Sequence, residues 1–568
     1  MSLFDAAEAA RFRAEGHWGD TTLPQMFAAT VARVPDGLGL VDAPNRAEVF
    51  EGAPRRLTYA QMEAEVARLA GHLRAQGLGA GSLIATQLPN VAEMILLYLA
   101  ISRIGAVLSP ISLAYRSAEL RALSEVAAFD AYVSVGTQRG VPYYDERLAA
   151  LPAQVLRLGF GAGLPESVRS LDGPAPSGSD AGHGPQHADA LFAVFWTSGT
   201  EGVPKAVPKT HNNMMASSLG AWRILGLPDG AGILAPFPFV NAAAMGGLMM
   251  CWMRTAGPLY LHHPFDTPTF LRQLAEEDVV YTMVAPTLLV YLRDRADDPG
   301  LRPALGRLRA LGTGAAPPDP EVFAFFQDRL GIPVLNFFGS NEGAQLCSEP
   351  ARLPDPRQRA TFFPRDGDEG WEGHGHLRTA NGGTFRLVDP VTGTPVSAPG
   401  TVAEMQLRGP AMMPGYFSRA GIDRGRFTAD GFFPTGDLFE LSPCGSLMRF
   451  HSRAREIISR GGMKISPVEL DGILASLPGV REVATAPYPD PQMGEKVCLF
   501  AVMEKGQSLD LDAVKAFCDR IGLAKFKWPE RLVLCEALPR TPLAKLDRKV
   551  LARQLAEETR EPEGTPHA

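Results

Sequence analysis

The amino-acid sequence predicts an α/β protein with a large N-terminal domain of layered α/β subdomains, a small β-rich subdomain and a small α+β domain at its end. Three observations predict this fold class. The chain has 568 residues, too many for one hydrophobic core, so two or more domains are expected. Helix and strand patterns alternate from residue 57 to 334, as in layered α/β domains. Beyond Pro350 the pattern changes to short strand-like runs between Gly/Pro turns.

The first half of the chain is predicted to form the layered α/β part. Residues 159–188 are rich in Gly, Pro, Ser and Asp, which predicts a loop between two subdomains. The predicted elements are a helix from Thr58 and Tyr59 through Leu73, a strand at 83–86, a helix at 90–103, a strand ending at 108–110, a strand at 191–195, a helix at 214–225, and strands at 279–284 and 308–312.

The second half is predicted to hold the β-rich subdomain and the C-terminal domain. Short runs at 384–388 and 403–407 indicate the β-rich subdomain. After Phe450, helix and strand patterns indicate a compact α+β domain. Its predicted elements are a helix at 468–475, strands near 483 and at 497–502, and a helix from 511. The charged, proline-containing tail 557–568 is predicted to be disordered.

Composition and charge exclude several classes of protein. Hydrophobic residues make up 45% and charged residues 21%, as in an ordinary globular protein. A net charge of -7 argues against binding to nucleic acid or an anionic membrane. The N-terminus has no signal-peptide apolar region, and the most apolar helix is interrupted by Glu93 and Arg103, so no membrane span is expected. A cytoplasmic enzyme is therefore predicted. The six cysteines have no close pairs, which excludes a zinc ribbon and indicates no disulfide framework.

One stretch, residues 196–205, predicts a phosphate site. It joins an apolar strand to a helix through a loop that is rich in glycine and hydroxyl residues and ends in a lysine. Such a loop can place backbone N–H groups and a positive charge around phosphate oxygens. The P-loop spacing of nucleotide triphosphatases is absent, so a phosphate loop of another kind is indicated. The residues concerned are Thr197, Ser198, Gly199, Thr200, Gly202 and Lys205.

The segment from Thr197 to Lys205 resembles the Ser/Thr/Gly-rich signature of the adenylate-forming superfamily. That superfamily comprises acyl-CoA synthetases, aryl-acid AMP ligases, luciferases and the adenylation domains of peptide synthetases. Taken alone, the loop could be a Gly/Ser-rich surface turn. Five further stretches resemble superfamily motifs in the same order, namely residues 311–317, 336–343, 434–437, 452–469 and 539–548. Together the six stretches identify the chain as a member of this superfamily.

The resemblance implies a site for ATP and Mg²⁺. It implies that Phe338 stacks on the adenine, that Asp437 accepts hydrogen bonds from both ribose hydroxyls, and that Glu342 holds Mg²⁺ with Thr200. Asn341 departs from the pattern because it replaces a hydroxyl residue, which alters one donor to the α-phosphate or the carboxylate. The other residues implied in binding ATP or AMP are Thr197, Ser198, Gly199, Gly202, Lys205, Gly314, Ala315, Ala316, Asn336, Phe337, Gly339 and Arg453.

The implied reaction is attack of a carboxylate on the α-phosphorus of ATP. Both partners are anions, so the site must neutralise charge and position the pair. The resemblance implies that Lys545, Glu342 and Thr197 are catalytic, with Lys545 close to the carboxylate and the bridging oxygen. It divides the chain into an ATP- and acyl-binding domain at 1–453 and a mobile C-terminal domain at 454–556. That domain would turn about a hinge at Arg455 and bring Gly461 and Gly462 to a channel for coenzyme A.

The acid is predicted to be uncharged and largely apolar: aryl, alicyclic or medium-chain. Amino-acid-activating relatives carry an Asp, and hydroxybenzoate-activating relatives an Asn, where this chain is expected to have Pro236, which can pair neither an ammonium nor a phenol. The acyl pocket is predicted to contain Phe239, Asn241, Ala244, Gly247, Gly312 and Gly339. Alternatively, the small residues from 242 to 247 only pack a helix N-terminus.

Coenzyme A is the predicted acceptor of the acyl group, because residues 461–469 resemble acyl-CoA ligases. Loading of a carrier protein by a stand-alone acyl- or aryl-AMP ligase is the alternative. A non-catalytic binding protein that kept the fold is a third reading, and the presence of Glu342, Asp437, Arg453 and Lys545 argues against it.

Overall fold

A computed structural model describes residues 3–177, 184, 187–197, 204–314, 317–364, 377–378, 383–454, 456–460, 463–490, 493–521, 523, 525–541 and 545–558. The chain forms two compact units. The first comprises Met1–Asp368, His376–Phe385 and Leu407–Phe433, and the second comprises Glu369–Gly375, Arg386–Gln406 and Pro434–Ala568.

The described helices begin and end as follows. They are α1 Ala6–Ala14, α2 Leu23–Arg33, α3 Arg46–Val49, α4 Tyr59–Ala75, α5 Ala92–Arg103, α6 Ser117–Val126, α7 Asp145–Ala150, α8 His211–Leu225, α9 Ala242–Ala244, α10 Met250–Thr255, α11 Thr267–Glu276, α12 Pro286–Asp294, α13 Arg302–Leu305, α14 Pro320–Ala324, α15 Pro356–Thr361, α16 Pro467–Leu474, α17 Leu511–Arg520 and α18 Arg548–Glu558. Met245–Met249 and Phe325–Arg329 are π-helical, and Lys525–Lys527 forms a 3₁₀ turn.

The described strands are short and numerous. They are β1 Leu38–Val41, β2 Arg56–Thr58, β3 Leu83–Gln87, β4 Val107–Pro110, β5 Ala131–Val135, β6 Thr137–Gln138, β7 Val141–Pro142, β8 Leu156–Phe160, β9 Arg169–Ser170, β10 Leu191–Thr197, β11 Lys205–Thr210, β12 Gly232–Ala235, β13 Leu259–Leu261, β14 Val279–Val284, β15 Ala310–Gly314, β16 Val334–Gly339, β17 Gln345–Ser348, β18 Phe363–Pro364, β19 Leu377–Arg378, β20 Thr384–Val388, β21 Val402–Arg408, β22 Tyr416–Ser418, β23 Gly421–Asp423, β24 Phe433–Leu441, β25 Leu447–Arg453, β26 Ile458–Arg460, β27 Met463–Ile465, β28 Val480–Asp490, β29 Gly494–Met503 and β30 Arg531–Leu534.

The first unit holds two large sheets. One has nine strands in the order β23-β22-β11-β10-β4-β3-β5-β8-β9, and the other has eight in the order β17-β16-β15-β14-β12-β13-β1-β2. Strands β12 to β16 pair in parallel, so their carboxyl ends lie at one edge, which is where open α/β sheets carry their ligands. Helix α5 is buried at ten of its twelve positions, as expected of a helix between other layers.

The second unit combines a sheet that contains the antiparallel pair β24 and β25 with the C-terminal α+β fold. Strands β25, β24, β21 and β20 are neighbours in that order, and a separate sheet has the order β27-β26-β29-β28, with β30 beside β29. Helices α16 and α17 contribute Leu470, Leu474 and Val514 to an apolar core with the second sheet. Glu557 and Glu558 end helix α18, and the rest of the predicted tail lies outside the described residues.

The predicted fold class is confirmed, and the structure adds elements that the sequence patterns did not reveal. Strand β11 follows the phosphate loop directly, and the helix predicted from residue 214 begins at His211, because Thr210 and Asn213 form a capping box. The N-terminal helices α1 and α2 were also not predicted. The six cysteines have free thiols. No helix in the described part of the chain has the length and apolarity needed to cross a bilayer.

Candidate active site

The phosphate loop lies between two adjacent antiparallel strands. Thr197, the last residue of β10, pairs with Lys205, the first residue of β11. Both are partly exposed at the open end of this hairpin. The loop itself, with Ser198, Gly199, Thr200 and Gly202, lies outside the described residues. The hairpin therefore fixes where the loop starts and ends. It also places the Lys205 side chain at the open end of the hairpin, called here its mouth.

Lys205, Tyr416 and Glu342 form a cluster beside this hairpin. The Lys205 Nζ atom lies 5.1 Å from the centre of the Tyr416 ring, within cation–π range. The Tyr416 hydroxyl donates a hydrogen bond of 3.0 Å to Glu342 Oε1. Burial raises the pKa of Tyr416 well above its usual value, and the Glu342 carboxylate raises it further. Tyr416 therefore stays a neutral donor that orients the Glu342 carboxylate.

A buried lysine supports the backbone at Glu342. Lys209 is 0% exposed, and its Nζ atom donates to the backbone oxygens of Ala411 at 2.6 Å and Glu342 at 3.0 Å. The Met413 N–H donates to the same Glu342 oxygen at 2.8 Å. Burial lowers the pKa of Lys209 to about 7, although the nearby Glu342 carboxylate opposes this shift. Lys209 thus fixes the position of the backbone at Glu342.

Asn341 joins three elements of the site. Its Nδ2 atom donates to the Trp196 carbonyl at the end of β10, at 3.2 Å. Its Oδ1 atom accepts from the Ala242 N–H at the start of α9, at 2.9 Å. The departure from a hydroxyl residue therefore has a structural consequence: the longer amide side chain ties the phosphate hairpin to the helix beside the predicted acyl pocket.

The residues predicted to lie near adenine alternate along β16. Phe338 packs edge-on against Phe363, with ring centres 6.2 Å apart. Asn336 is buried, and its Nδ2 atom donates to the Ala360 carbonyl at 2.8 Å, so its side chain is engaged with helix α15. Gly314 lies beside the Phe337 carbonyl, which a Cβ would approach to 2.4 Å. Ala315 and Ala316 lie outside the described residues.

Gly247, Met283, Gly312 and Phe337 form one apolar surface, called here the acyl wall. A Cβ on Gly312 would lie 3.2 Å from both Met283 Cγ and Phe337 Cε2, and a Cβ on Gly247 would lie 3.9 Å from Met283 Cε. Two of the residues predicted for the acyl pocket thus meet at Met283, a residue that the prediction did not include.

The other predicted pocket residues lie around this wall. Asn241 caps helix α9 by accepting from the Ala244 N–H at 2.9 Å. Phe239 and Ala244 are buried, and a Cβ on Gly339 would lie 3.1 Å from the Ala344 carbonyl. The helix that starts at Ala242 continues as the π-helical turn Met245–Met249 into α10. Of the small residues in this turn, Gly247 faces Met283 of the acyl wall, whereas a Cβ on Gly246 would lie 3.6 Å from Ser217 Cβ.

Asp437 lies on strand β24 of the second unit. It pairs with Arg453 across β24 and β25, and Arg453 Nε lies 3.3 Å from Asp437 Oδ1. Its backbone is held on both sides: Thr435 Oγ1 accepts from the Asp437 N–H at 3.1 Å, and Glu404 Oε1 accepts from the Gly436 N–H at 2.9 Å. Gly436 has φ 74°, the left-handed region that favours glycine. The turn thus presents a fixed carboxylate.

Lys545 stands on a narrow loop of the second unit. The Thr541 N–H donates to the Lys545 carbonyl at 2.7 Å, and the Lys545 N–H donates to Thr541 Oγ1 at 3.3 Å. The Lys545 residue is exposed. The predicted hinge Arg455 and the predicted channel residues Gly461 and Gly462 lie outside the described residues.

Glu342 is a suitable ligand for Mg²⁺ together with phosphate oxygens. No group of three or more His, Cys, Asp or Glu side chains that could hold a metal ion occurs among the described residues. Mg²⁺ is commonly bound by one or two carboxylates and the substrate's phosphates rather than by an all-protein cage. The single Glu342 carboxylate, oriented by Tyr416 beside the phosphate hairpin, fits that chemistry.

Comparison with known families decides the identity. The family model described as AMP-binding enzyme matches residues 30–417, and the model described as AMP-binding enzyme C-terminal domain matches residues 469–545. This chain belongs to the AMP-binding enzyme family. The predicted superfamily and the predicted class of enzyme, an AMP-forming acid–thiol ligase, are confirmed.

Two curated relatives resemble this AMP-binding enzyme over almost their whole length. One is the 2-hydroxy-7-methoxy-5-methyl-1-naphthoate–CoA ligase of Streptomyces carzinostaticus, which is 29% identical and covers 96% of this chain and 95% of its own. The other is the medium-chain fatty-acid–CoA ligase of Escherichia coli K12, 30% identical over 97% of this chain and 94% of its own. The crystal structure of ATP-bound MatB from Rhodopseudomonas palustris has the same fold, with a TM-score of 0.75 and 24% identity over 94% of this chain and 99% of its own.

Four residues near the candidate site of this AMP-binding enzyme were not predicted from the sequence: Lys209, Tyr281, Met283 and Tyr416. Lys209 gave one signal, because a lysine between Pro208 and Thr210 interrupts an otherwise uncharged run after the phosphate loop. Tyr416 gave no signal in the sequence, since it reaches Glu342 only through the pairing of β22 with β11. Met283 and Tyr281 lie in a strand that was predicted correctly, but the face they share with Gly312 depends on register.

Proposed function

We propose that this enzyme activates a carboxylic acid with ATP to an acyl-adenylate, releases pyrophosphate, and transfers the acyl group to coenzyme A. The observation that carries the proposal is the cluster of Lys205, Tyr416 and Glu342 at the mouth of the phosphate hairpin. A cation and an oriented carboxylate beside a glycine-rich loop suit a triphosphate, because the loop can supply N–H donors and the carboxylate can share a metal ion with the phosphates.

The proposed roles follow the chemistry of two anions that must react. Lys205 and the loop residues Ser198, Gly199, Thr200 and Gly202 hold the β- and γ-phosphates that leave as pyrophosphate. Thr197 contacts the phosphates, and Glu342, with Thr200, holds Mg²⁺, which when bound screens phosphate charge. Asp437 accepts from the ribose hydroxyls with Arg453 beside it. Gly314, Ala315, Ala316, Asn336, Phe337, Phe338, Gly339 and Asn341 surround the rest of AMP.

Lys545 is proposed to stabilise the negative charge that grows on the carboxylate and the bridging oxygen during attack. Lys545 is exposed, and its backbone is held by hydrogen bonds with Thr541. We assign residues 1–453 to the ATP- and acyl-binding domain and 454–556 to a mobile domain that turns about Arg455. After adenylation this turn removes Lys545 and brings Gly461 and Gly462 to the thiol channel.

The acid is proposed to be largely apolar, of the aryl, alicyclic or medium-chain class. The acyl wall supports this class, because Gly247, Met283, Gly312 and Phe337 offer no charged group to pair an ammonium or a second carboxylate. The relatives named for a naphthoate and for medium-chain fatty acids act on acids of this kind. We propose a cytoplasmic enzyme.

The test is a screen for ATP–pyrophosphate exchange and AMP release over fatty, aryl and alicyclic acids, with and without coenzyme A. We expect exchange with several apolar acids and AMP release that multiplies when coenzyme A is added. Exchange that coenzyme A does not convert to turnover would favour the loading of a carrier protein. Absence of exchange with every acid would contradict adenylation itself.

A further inference from the structure

Residues 3–19, called here the N-terminal arm, pack onto a segment far along the chain. The ring centres of Phe4 and Phe12 lie 4.9 and 5.0 Å from the ring centre of Trp18, and all three side chains are buried in one apolar cluster. The Trp18 Nε1 atom donates a buried hydrogen bond of 2.9 Å to the Pro410 carbonyl. The arm is therefore held both by aromatic packing and by a directional bond.

The segment that receives this bond, residues 410–413, is itself bonded to the backbone at Glu342. The Ala411 carbonyl accepts from Lys209 Nζ at 2.6 Å, and the same amine donates to the Glu342 carbonyl at 3.0 Å. The Met413 N–H donates to that Glu342 carbonyl at 2.8 Å. Two routes of hydrogen bonds thus lead from the 410–413 segment to Glu342.

The backbone of this segment also packs directly against the residue that follows Glu342. A Cβ on Gly343 would lie 2.4 Å from the Ala411 carbonyl oxygen and 2.7 Å from Met412 Cα, so the two backbones approach more closely than any side chain would allow. Gly343 has φ 131°, in the left-handed region that favours glycine. Close-packed interiors transmit displacements, so a shift of the 410–413 segment is expected to move the backbone at Glu342.

The arm has a second anchor next to the phosphate hairpin. The Gly19 N–H donates to Asn212 Oδ1 at 3.0 Å, near the start of α8. The Pro410 carbonyl that Trp18 binds also accepts from Asn213 Nδ2 at 2.8 Å. The arm, the start of α8 and the 410–413 segment therefore meet at one carbonyl, directly after strand β11.

The same stretch of chain leads to the side chain that orients the Glu342 carboxylate. Tyr416 follows Met413 by three residues, and its hydroxyl donates to Glu342 Oε1 at 3.0 Å. The backbone of Glu342 and its carboxylate are thus both held by residues 410–416. Trp18 binds the first residue of this stretch.

We propose that the N-terminal arm is a positioning element of the adenylation site, and that Trp18 is a positioning residue that fixes Glu342 through the 410–413 segment. Its part is to hold the backbone from which the groups at the phosphates extend. This inference rests on the proposed function, in which Glu342 holds Mg²⁺ beside the phosphates, and it adds residues 3–19 to the parts of the chain on which the first half-reaction depends.

The first test measures the backbone and needs no substrate or metal. Trp18→Phe removes the N–H donor and keeps an aromatic ring in the cluster. We expect amide hydrogen exchange of the peptide 410–416 to become about 3–10-fold faster, because its first carbonyl loses a buried hydrogen bond. Trp252→Phe, which removes a buried donor from the Gly257 carbonyl at 2.8 Å, is the matched control and should leave this peptide unchanged. Unchanged exchange in Trp18→Phe would overturn the proposal.

The second test separates positioning from stability. Trp18→Phe should lower kcat for adenylation about 3–10-fold and leave KM for the acid unchanged, because the acyl wall is built from other segments. Thioester formation from a preformed acyl-adenylate and coenzyme A should stay unchanged. Equal losses in both half-reactions would mean that the variant only loses folded enzyme, and would overturn the positioning role. Absence of adenylation by the unaltered enzyme would overturn the proposed function, and this inference with it.

The third test asks whether Trp18 acts through the backbone that Lys209 also holds. Residues that act through one shared structure have effects that do not combine independently. The double variant Trp18→Phe with Lys209→Met should therefore lose less kcat than the product of the two single losses. Trp252→Phe combined with Lys209→Met should lose the full product. Losses that multiply for Trp18 and Lys209 would overturn the route through the 410–413 segment.

Discussion

Lys209 places an amine inside the protein, on a strand that has a neighbouring strand on each side. Its Nζ atom has two backbone acceptors, at Ala411 and Glu342, and a neutral amine has two N–H donors to match them. Removing the amine takes a buried donor from the Ala411 oxygen, at about 1–3 kcal/mol, whereas the Glu342 oxygen keeps the Met413 N–H. The side chain therefore matters through the backbone it holds, and we regard Lys209 as a positioning residue for Glu342.

Lys209→Met keeps the length of the side chain and removes both donors. We expect kcat for adenylation to fall about 10-fold or more, with a smaller change in KM for the acid, because the Glu342 carboxylate loses its fixed backbone. The measurement is pyrophosphate exchange as a function of Mg²⁺ concentration, which should show a weaker apparent Mg²⁺ affinity. Lys505→Met, at an exposed lysine, is the control. An unchanged Mg²⁺ dependence would contradict the positioning role.

The depressed pKa of Lys209 also predicts a pH dependence of stability. The folded group releases its proton near pH 7, whereas the unfolded lysine keeps it until about pH 10.4. The unfolded state therefore binds more protons between these values, and the contribution of Lys209 to the free energy of unfolding rises with pH across that window. Urea unfolding at pH 7 and pH 9 should show the difference between the unaltered enzyme and Lys209→Met growing in favour of the unaltered enzyme. A constant difference would argue that Lys209 is ionised equally in both states.

Asp437 gives the third prediction at the scale of a residue. Its backbone N–H donates to Thr435 Oγ1, and its carboxylate pairs with the strand partner Arg453. Asp437→Ala should raise KM for ATP by about 10–100-fold, because hydrogen bonds to a charged group contribute about 1.5–3 kcal/mol. Calorimetric titration with ATP checks this. Glu440→Ala, at a carboxylate of the same strand that pairs with Arg449, should leave ATP affinity intact. Equal affinity in both variants would remove Asp437 from the ribose site.

At the scale of elements, the alternation of β15 divides two functions between its faces. Gly312 and Gly314 face the acyl wall and the Phe337 backbone. Leu311, between them, belongs to the apolar core with Val284 and Val334. The core face anchors the strand, and the glycine face packs closely against Tyr281, Met283 and Phe337. Substitutions at alternate positions should therefore affect stability or substrate choice, but seldom both.

Gly312→Ala tests this division. The new methyl group would lie 2.6 Å from Tyr281 Oη and 3.2 Å from Met283 Cγ, so it must displace both side chains into the pocket. We expect kcat/KM to fall about 10-fold or more for ring-containing acids, less for acetate-sized acids, with KM for ATP unchanged. Gly247→Ala, whose methyl group would meet only Met283 Cε at 3.9 Å, should change the same parameters by less than about 3-fold. Equal losses in the two variants would contradict the close packing at Gly312.

The elements were largely predictable from the sequence, and the contacts between them were not. Hydrophobic periodicity and the Thr58 cap predicted α4, and β-branched runs predicted β14, because those signals are local. Gly247 and Gly312 were both predicted for the pocket, yet Met283, the side chain that connects them, was not. Its position depends on the register of β14 with β15, and register is set by long-range packing. For the same reason no local pattern indicated Tyr416, which reaches Glu342 from 74 residues away.

At the scale of the whole molecule, the proposed function uses residues of both compact units. Lys545 belongs to the unit that also carries Asp437, whereas Glu342 and the phosphate hairpin belong to the other. The proposed mobile domain, residues 454–556, is smaller than the second unit, so a rigid turn of that domain can remove Lys545 while Asp437 stays in place. The boundary at residues 453 and 454 stays a prediction.

Lys545→Ala separates the two half-reactions. Adenylation should slow by about 10²–10³-fold, the usual cost of removing one charge-stabilising donor. Thioester formation from a preformed acyl-adenylate and coenzyme A should stay close to that of the unaltered enzyme. Single-turnover measurements of each half-reaction check this, with Lys549→Ala, at an exposed neighbouring lysine, as the control. Equal slowing of both half-reactions would contradict a role confined to the adenylating arrangement.

The N-terminal arm has a consequence for how the chain is made. Trp18 Nε1 donates to the Pro410 carbonyl, 392 positions later, and Phe4, Phe12 and Trp18 pack with Ala411 in one apolar cluster. A ribosome adds about 5–20 residues per second, so this arm waits about 20–80 s for its partner after it has been synthesised. During that interval three large aromatic side chains have no finished surface to cover them. The nascent chain is therefore expected to need a chaperone at its first eighteen residues, and a pause in translation before codon 410 should lengthen that exposure and lower the yield of active enzyme.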